Sequence, residues 1–249
     1  MIILKSRLEI EKMRKSNAIV AAILEELRKK IRPGVKTIEL DRLSEELALK
    51  KGARPAFKGY RGYPYSLCTS VNSEVVHGMP SERELKEGDI VSLDFGILND
   101  GYYGDAAVTV PVGEITPAAR RLLKITEEAL YRGIAEVKAG NRIGDISAAI
   151  QGHVEASGYS VVRDLVGHGI GKSLHEDPQV PNYGTSGRGV ELKPGMVFAI
   201  EPMVNEGTYR VDILRDGWTV VTADGKLSAH FEHSVAITEN GPVILSRIG

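Results

Sequence analysis

Residues 86–94 read KEGDIVSLD and residues 193–201 read KPGMVFAIE, so one kind of strand occurs twice in the chain, 107 positions apart. In each copy a lysine and a glycine come before a short apolar run, which predicts a buried strand. Each strand ends on a carboxylate, Asp94 in the first copy and Glu201 in the second. This repeated strand predicts a fold built from two similar halves.

A second repeated stretch carries another pair of acids. Residues 104–109 read GDAAVT and residues 231–236 read FEHSVA, which aligns Asp105 with Glu232. Chance similarity between amphipathic segments would explain repeated helices. It does not easily explain four acids at matching positions of the two halves.

The helices repeat as well, because IRPGVKTIE at 31–39 is matched 106 positions later by VKAGNRIGD at 137–145. In each half a long amphipathic helix precedes this break and a shorter helix follows it. Ser6 and Glu9 form a capping box that begins the first helix. Thr116, followed by proline at the first helical position, begins the third.

Two helices and then strands in each half predict an α+β protein. We expect a curved, mostly antiparallel sheet with helices on one face and a pseudo-two-fold internal repeat. One domain should cover residues 1–249, with half-repeats at about 1–112 and 113–249.

A net charge of −1 argues against an electrostatic role on nucleic acid or an anionic membrane. Because Cys68 is the one cysteine and no segment resembles a signal peptide or a membrane span, we expect a cytoplasmic protein.

The two acids of the first half flank a hairpin signal. Residues 98–101 read LNDG, which is typical of a tight turn between two strands. If Asn99 and Asp100 are the two loop residues, Asp94 lies directly opposite Asp105, and like charges in that arrangement destabilise a sheet. A bulge in the turn would shift this pairing by one residue.

Four acids in one interior site require positive charge to neutralise them. Each acid alone has an ordinary interpretation, as a turn former, a solvated residue or half of a pair that shares one proton. Together they would be buried without partners, which costs a large free energy. Two divalent ions, bridged by carboxylates about 3.5–4 Å apart, would neutralise them. Oxygen and imidazole ligands together suit manganese, iron, cobalt or zinc.

The histidines complete this prediction. GHGIG at 167–171 places His168 between glycines, on backbone that can approach a metal closely, so His168 is the predicted imidazole ligand. We expect His77 and His175 to lie near the site without binding metal. His233 belongs to a strand in which its neighbour is a predicted ligand, so its side chain should point to the opposite face.

These segments together resemble the type I methionine aminopeptidases along nearly the whole chain. The resemblance is carried by SLD at 92–94 with GD at 104–105, GHGIG at 167–171, LHEDP at 174–178, IEPM at 200–203 and HFEHS at 230–234. One such motif would be weak evidence, whereas five in order with compatible spacing are specific. The resemblance implies the pita-bread fold and five metal ligands: Asp94, Asp105, His168, Glu201 and Glu232.

The resemblance also implies the reaction. A metal-bridging water or hydroxide attacks the first peptide bond and removes the N-terminal methionine, whose free amine binds one metal. Glu201 would accept and relay the proton. His175 would donate a hydrogen bond to the carbonyl oxygen as it becomes an oxyanion. His77 would contact the peptide nitrogen or steer the leaving group.

The resemblance further assigns a substrate pocket. In this chain Leu174 stands where many relatives carry an aromatic residue, which keeps the pocket apolar but changes its shape. The tyrosines and Trp218 also have an ordinary interpretation as packing residues on loops. The predicted substrate-binding residues are Tyr60, Tyr63, Cys68, His77, Leu174, His175 and Trp218.

Three rival functions stay open on the sequence. A proline-directed exopeptidase shares the fold and the ligands, although such relatives usually carry an additional N-terminal domain. An inactive binding module should lose ligands, and a metal-binding protein without catalysis would leave His77 and His175 without a role.

The expected partners are the N-terminal methionine of peptides and nascent proteins, with the ribosome as a candidate and no specific nucleic acid or membrane. We expect a monomer.

Overall fold

The computed structural model describes residues 2–247, which form four helices, a short 3₁₀ turn at Tyr60–Gly62 and fifteen strands. The helices are α1 (Arg7–Arg28), α2 (Thr37–Lys50), α3 (Pro117–Ala135) and α4 (Ile143–Ala156). The strands are β1 (Arg54–Pro55), β2 (Cys68–Val71), β3 (Glu74–Val76), β4 (Ile90–Asn99), β5 (Tyr102–Pro111), β6 (Ser160–Val161), β7 (Gly167–Gly169), β8 (Glu176–Val180), β9 (Val197–Ile200), β10 (Met203–Asn205), β11 (Val211–Ile213), β12 (Val220–Thr222), β13 (Ser228–His230), β14 (Glu232–Thr238) and β15 (Gly241–Ile244).

The helices begin where the sequence predicts. At the start of α1 the Glu9 amide donates to Ser6 Oγ over 3.3 Å, and the Ser6 amide donates to the Glu9 carboxylate over 2.9 Å. Thr116 caps α3 with its side chain. The two shorter helices are each 14 residues long and begin 106 positions apart, at Thr37 and Ile143. The predicted repeat of the helices is therefore confirmed.

A curled antiparallel sheet forms the centre of the molecule, with strands in the order β1-β4-β5-β14-β9-β7-β8. In β4, Leu93 and Phe95 belong to one core cluster with Leu24 and Leu27 of α1. A second core cluster joins α3 and α4 to β9 and β14. Because side chains alternate along a strand, the residues between these core positions face away from the helices. The predicted α+β architecture with helices on one face is confirmed.

The hairpin of β4 and β5 differs from the predicted one. Asp94 pairs with Ala107, and Asp105 pairs with Gly96, so the two acids are offset by two residues and do not lie directly opposite each other. The turn is Asp-Gly at 100–101, with φ values of 46° and 78°. A tight I′ turn needs two positive φ values, which Asp-Gly accepts more readily than Asn-Asp. A shift of two residues leaves both acids on the same face.

No helix within residues 2–247 is long and apolar enough to cross a membrane. The predicted boundary between the half-repeats falls between the end of β5 at Pro111 and the start of α3 at Pro117. A single domain over residues 1–249 stays a prediction. Its ends, Met1 and 248–249, lie outside the described residues.

Candidate metal centre

Five neighbouring strands of the central sheet each bring one predicted ligand to the face away from the helices. In sheet order the strands are β4, β5, β14, β9 and β7. All five side chains line one cavity of about 290 Å³. In the same order, the residues that the strands carry or lead into are Asp94, Asp105, Glu232, Glu201 and His168.

Ala107 separates two of the acids. It is the register partner of Asp94 on one side and of Glu232 on the other, so only a methyl group stands between two carboxylates. Asp105 lies two residues along the same strand and faces the same way. Ligand atoms of Asp105, His168 and Glu232 lie within 4.8 Å of one another, a spacing at which they could hold one ion.

His168 is oriented by its own backbone. Its Nδ1 donates to the Gly169 carbonyl oxygen over 2.9 Å, which leaves the lone pair on Nε2. That nitrogen lies 3.5 Å from Glu201 Oε1. A Cβ at Gly167 would overlap the carbonyl oxygen of Ala199, so the glycine lets β7 approach β9 closely. Fixing the imidazole through its second nitrogen is how metal-binding histidines are commonly held.

The electrostatics of the acids fit a divalent metal. Burial raises the pKa of Asp94 to about 7, and burial together with neighbouring carboxylates raises the pKa values of Asp105, Glu201 and Glu232 well above their usual range. Within the described residues, Asp94 Oδ1, Asp105 Oδ1 and Glu232 Oε1 are buried without a hydrogen-bond partner. Buried polar atoms need a partner, and carboxylates beside an imidazole suit divalent transition ions. The donor set therefore fits a metal.

Two more predicted histidines reach this cavity. His175 Nδ1 lies 2.9 Å from the Tyr60 hydroxyl, and its ring centroid lies 4.1 Å from that of His168. Desolvation, with the His168 imidazole as a smaller cause, lowers the pKa of His175 to about 3. His77 has a φ of 58°, a left-handed conformation that is uncommon outside glycine, and burial lowers its pKa. Strained backbone of this kind is concentrated at functional sites.

An apolar and aromatic chamber adjoins the acids. Tyr63 is 3% exposed, and its ring meets Trp218 edge-on with centroids 5.1 Å apart. Cys68 is the register partner of Asp94, so the chamber begins directly beside a predicted ligand. Leu174 is buried in a cluster that includes Phe57. All seven predicted substrate-binding residues line this cavity: Tyr60, Tyr63, Cys68, His77, Leu174, His175 and Trp218. Their role in binding substrate stays a prediction.

His230 was missed on the sequence. It is 1% exposed, its Nε2 lies 3.7 Å from Glu201 Oε2, and burial lowers its pKa to about 3. Its position two residues before Glu232 was no reliable signal, because His230 ends β13 and Glu232 begins β14, so alternation along one strand does not relate the two side chains. By contrast, His233 turns away from the cavity and contacts Ser246 Oγ over 2.8 Å, as expected. Other lining residues that were missed are Phe57, Arg61, Val76, Asp164, Leu165, Val166 and Met203.

Comparison with known proteins extends these observations. Residues 11–239 match the metallopeptidase family M24. A methionine aminopeptidase of Clostridium perfringens is 58% identical over 248 residues, which are 100% of both chains. The crystal structure of methionine aminopeptidase from Thermotoga maritima has a TM-score of 0.98 at 53% identity and covers 100% of both chains. Prolidase from Pyrococcus furiosus is less similar, with a TM-score of 0.80 at 26% identity over 99% of this chain and 66% of that chain.

The predicted pita-bread fold is confirmed by these neighbours. A metallopeptidase needs side chains that can hold an ion, and Asp105, His168 and Glu232 lie close enough together to do so. The family match spans both halves of the chain, including every strand that carries a predicted ligand. This protein therefore belongs to metallopeptidase family M24.

Proposed function

We propose that this protein removes the N-terminal methionine from peptides and nascent proteins by metal-dependent hydrolysis of the first peptide bond. The observation that carries the proposal is that the predicted metal ligands line the same cavity as the aromatic side chains of Tyr63 and Trp218. The relatives from Clostridium perfringens and Thermotoga maritima, both methionine aminopeptidases by name, support the same substrate class.

The proposed cofactor is a pair of divalent ions. Asp94, Asp105, His168, Glu201 and Glu232 would hold them, and we propose manganese, iron, cobalt or zinc because the donors are oxygen and imidazole. Such ions supply Lewis acidity and lower the pKa of water, so that hydrolysis can proceed at neutral pH. The three partnerless buried carboxylate oxygens support this assignment.

Glu201 is the proposed proton acceptor. One of its oxygens lies 3.5 Å from His168 Nε2 and the other lies 3.7 Å from His230 Nε2, so both oxygens face imidazoles. Burial raises the pKa of this carboxyl well above its usual range. A carboxylate placed within hydrogen-bond reach of the attacking water can take its proton and deliver it to the leaving amine.

His175 is the proposed hydrogen-bond donor to the carbonyl oxygen. When the Tyr60 hydroxyl donates to Nδ1, the ring proton stays on Nε2, which can then donate to the oxygen as it gains negative charge. The low pKa of His175 keeps the ring neutral at pH 7. We propose that His77, whose ring centroid lies 6.4 Å from that of Trp218, contacts the peptide nitrogen.

The aromatic chamber is the proposed methionine pocket. A thioether is flexible and polarizable, and it packs well beside aromatic rings. The rings of Tyr63 and Trp218 meet at one side, and Leu174 adds an aliphatic surface that can adapt to an unbranched side chain.

We extend the proposal to the setting of the reaction. Nascent chains carry their first methionine in the cytoplasm, and a free Cys68 is compatible with that reducing compartment. We propose a monomer that acts on emerging chains, with the ribosome as a candidate partner. Light scattering of the purified protein tests the monomer, and co-sedimentation with ribosomes tests the partner.

The decisive test compares two tripeptides. Metal-stripped protein is incubated with Met-Ala-Ser and with Ala-Pro-Ala, before and after addition of manganese or cobalt, and release of the first residue is measured. We expect metal-dependent release from Met-Ala-Ser alone. Preference for Ala-Pro-Ala would move the assignment to a proline-directed exopeptidase. Tight metal binding without any cleavage would favour the non-catalytic interpretation.

A further inference from the structure

A buried ion pair lies beside the loop that carries His175. Lys5 Nζ is 2.6 Å from Glu176 Oε2, and the two side chains are 4% and 8% exposed. Within residues 2–247, every other pair of a lysine or arginine with a carboxylate has at least one side chain that is far more exposed. Removing one partner of a buried pair leaves an uncompensated charge, which is strongly destabilising.

Glu176 makes a hydrogen bond across the loop that carries His175. Its Oε1 accepts a hydrogen bond from the Ser173 amide over 3.1 Å, so one carboxylate spans the turn that presents His175. Glu176 is also the register partner of Gly169, the residue after His168. Glu176 therefore links the loop, through its carboxylate, to the strand that holds a proposed metal ligand, through its backbone.

Lys5 is itself fixed in place. Its amide donates to the Gly195 carbonyl oxygen over 2.7 Å, in the segment that leads into β9, and its Nζ donates to the Ile3 carbonyl oxygen over 3.0 Å. Gly171 makes room for the pair, because a Cβ there would lie 2.6 Å from both Glu176 Oε1 and Lys5 Cε. The segment before α1 thus reaches across to the loop of the second half.

We propose that Lys5 is a positioning residue for His175, a role that rests on the proposed function of this cavity. Without the ammonium, the Glu176 carboxylate would be buried and unpaired, which is unfavourable. Turning to solvent would relieve it but would release the Ser173 amide and free the loop. Because His175 must meet the carbonyl oxygen at hydrogen-bond distance, a displacement of about 1 Å would lower kcat by roughly 10–100-fold.

The variants separate positioning from general stability. Lys5→Met keeps the length of the side chain and removes its charge. Lys12→Met is the matched control, since Lys12 pairs with Asp100 over 3.0 Å at the surface, with both side chains exposed. On metal-loaded protein with Met-Ala-Ser, we expect kcat to fall about 10-fold or more in Lys5→Met, with KM and metal titration unchanged. The control should match the wild type.

A double variant supplies a second readout. Lys5→Met combined with Glu176→Gln removes both charges while the amide oxygen still accepts from Ser173, so its kcat should exceed that of Lys5→Met alone. Imidazole NMR of the zinc-loaded protein needs no substrate. In Lys5→Met the His175 ring signals should shift, with a smaller change in those of His168, whose ring centroid lies 4.1 Å away.

Several results would overturn the proposal. An unchanged kcat and an unchanged His175 signal in Lys5→Met would remove the positioning role. Loss of kcat together with metal binding, or failure of both Lys5→Met and the double variant to fold, would make the pair a general stabilising element. If the wild type releases no methionine, the proposed function fails, and the His175 signal alone then decides whether Lys5 positions the loop.

Discussion

Asp94 on β4 and Glu232 on β14 flank the same residue, Ala107, which pairs in register with both. The two acids come from different halves of the chain, 138 positions apart in sequence. Their closeness is therefore a property of the β5–β14 junction, where the halves of the sheet meet. The smallest chiral side chain stands at the point where the acids would otherwise be forced apart.

A larger side chain at position 107 should weaken metal binding. Ala107→Val would place two more methyl groups between the carboxylates, and we expect metal affinity to fall roughly 10–100-fold, as for disturbed outer contacts of metal sites. Ala106→Val is the control, because Ala106 faces the helices beside a cavity of about 210 Å³. Calorimetric titration with manganese measures both variants. Equal affinity in the two would contradict the geometry.

Stability of the metal-free protein should fall as pH rises. Burial raises the pKa of Asp94 to about 7, whereas an unfolded aspartate titrates near 4. The stability contributed by the protonated acid is therefore complete below about pH 4 and is lost as pH rises through about 7.

Metal reverses this dependence, because bound ions replace the protons. The gain in Tm on adding manganese should thus be larger at about pH 7.5 than at about pH 5.5. Differential scanning calorimetry of stripped and loaded protein measures that difference. A gain that is the same at both values would argue against buried, protonated acids at this site.

Removal of His230 should impair turnover. Its neutral ring is buried against Glu201 Oε2, so His230→Leu leaves that oxygen without its neighbour, and we expect kcat to fall roughly 10–100-fold. His153→Leu is the control, since His153 Nε2 lies 3.1 Å from Glu128 outside the cavity. Steady-state kinetics on Met-Ala-Ser separates them. Wild-type kcat in His230→Leu would leave this residue a packing role only.

His175 should matter for turnover more than for metal binding. His175→Ala removes the proposed donor to the oxyanion, and loss of one such donor lowers kcat roughly 10²–10³-fold. Tyr60→Phe removes only the hydroxyl that contacts Nδ1, so its loss should be smaller. Metal titration should be unchanged in both. If kcat is unaffected in His175→Ala, the oxyanion role is wrong.

The repeated spacing explains why so much of the site could be predicted from sequence. Asp105 and Glu232, at matching positions of the repeat, belong to the neighbouring strands β5 and β14, so the repeat carried spatial information. The turn sequence did not fix the register of the hairpin, because LNDG can place either Asn99-Asp100 or Asp100-Gly101 in the loop. Only the backbone conformation selects the second pair, through positive φ values at both residues.

His230 and the Lys5–Glu176 pair lay beyond sequence reasoning for different reasons. His230 ends β13 and pairs with Met203, while Glu232 begins another strand, so alternation could not be assumed to run through the break. Lys5 and Glu176 are 171 positions apart, and no periodic pattern links them. Contacts of this kind depend on how the loops of the two halves pack together.

We propose that side chains from five neighbouring strands, or directly after them, hold metal for hydrolysis of the first peptide bond, and one titration tests this most directly. Stripped wild-type and Asp94→Asn proteins are titrated with manganese while methionine release from Met-Ala-Ser is followed. We predict about two equivalents bound and activity that rises with occupancy in the wild type, and weakened binding with lost activity in a folded Asp94→Asn. Full activity of Asp94→Asn at low free metal would contradict the account.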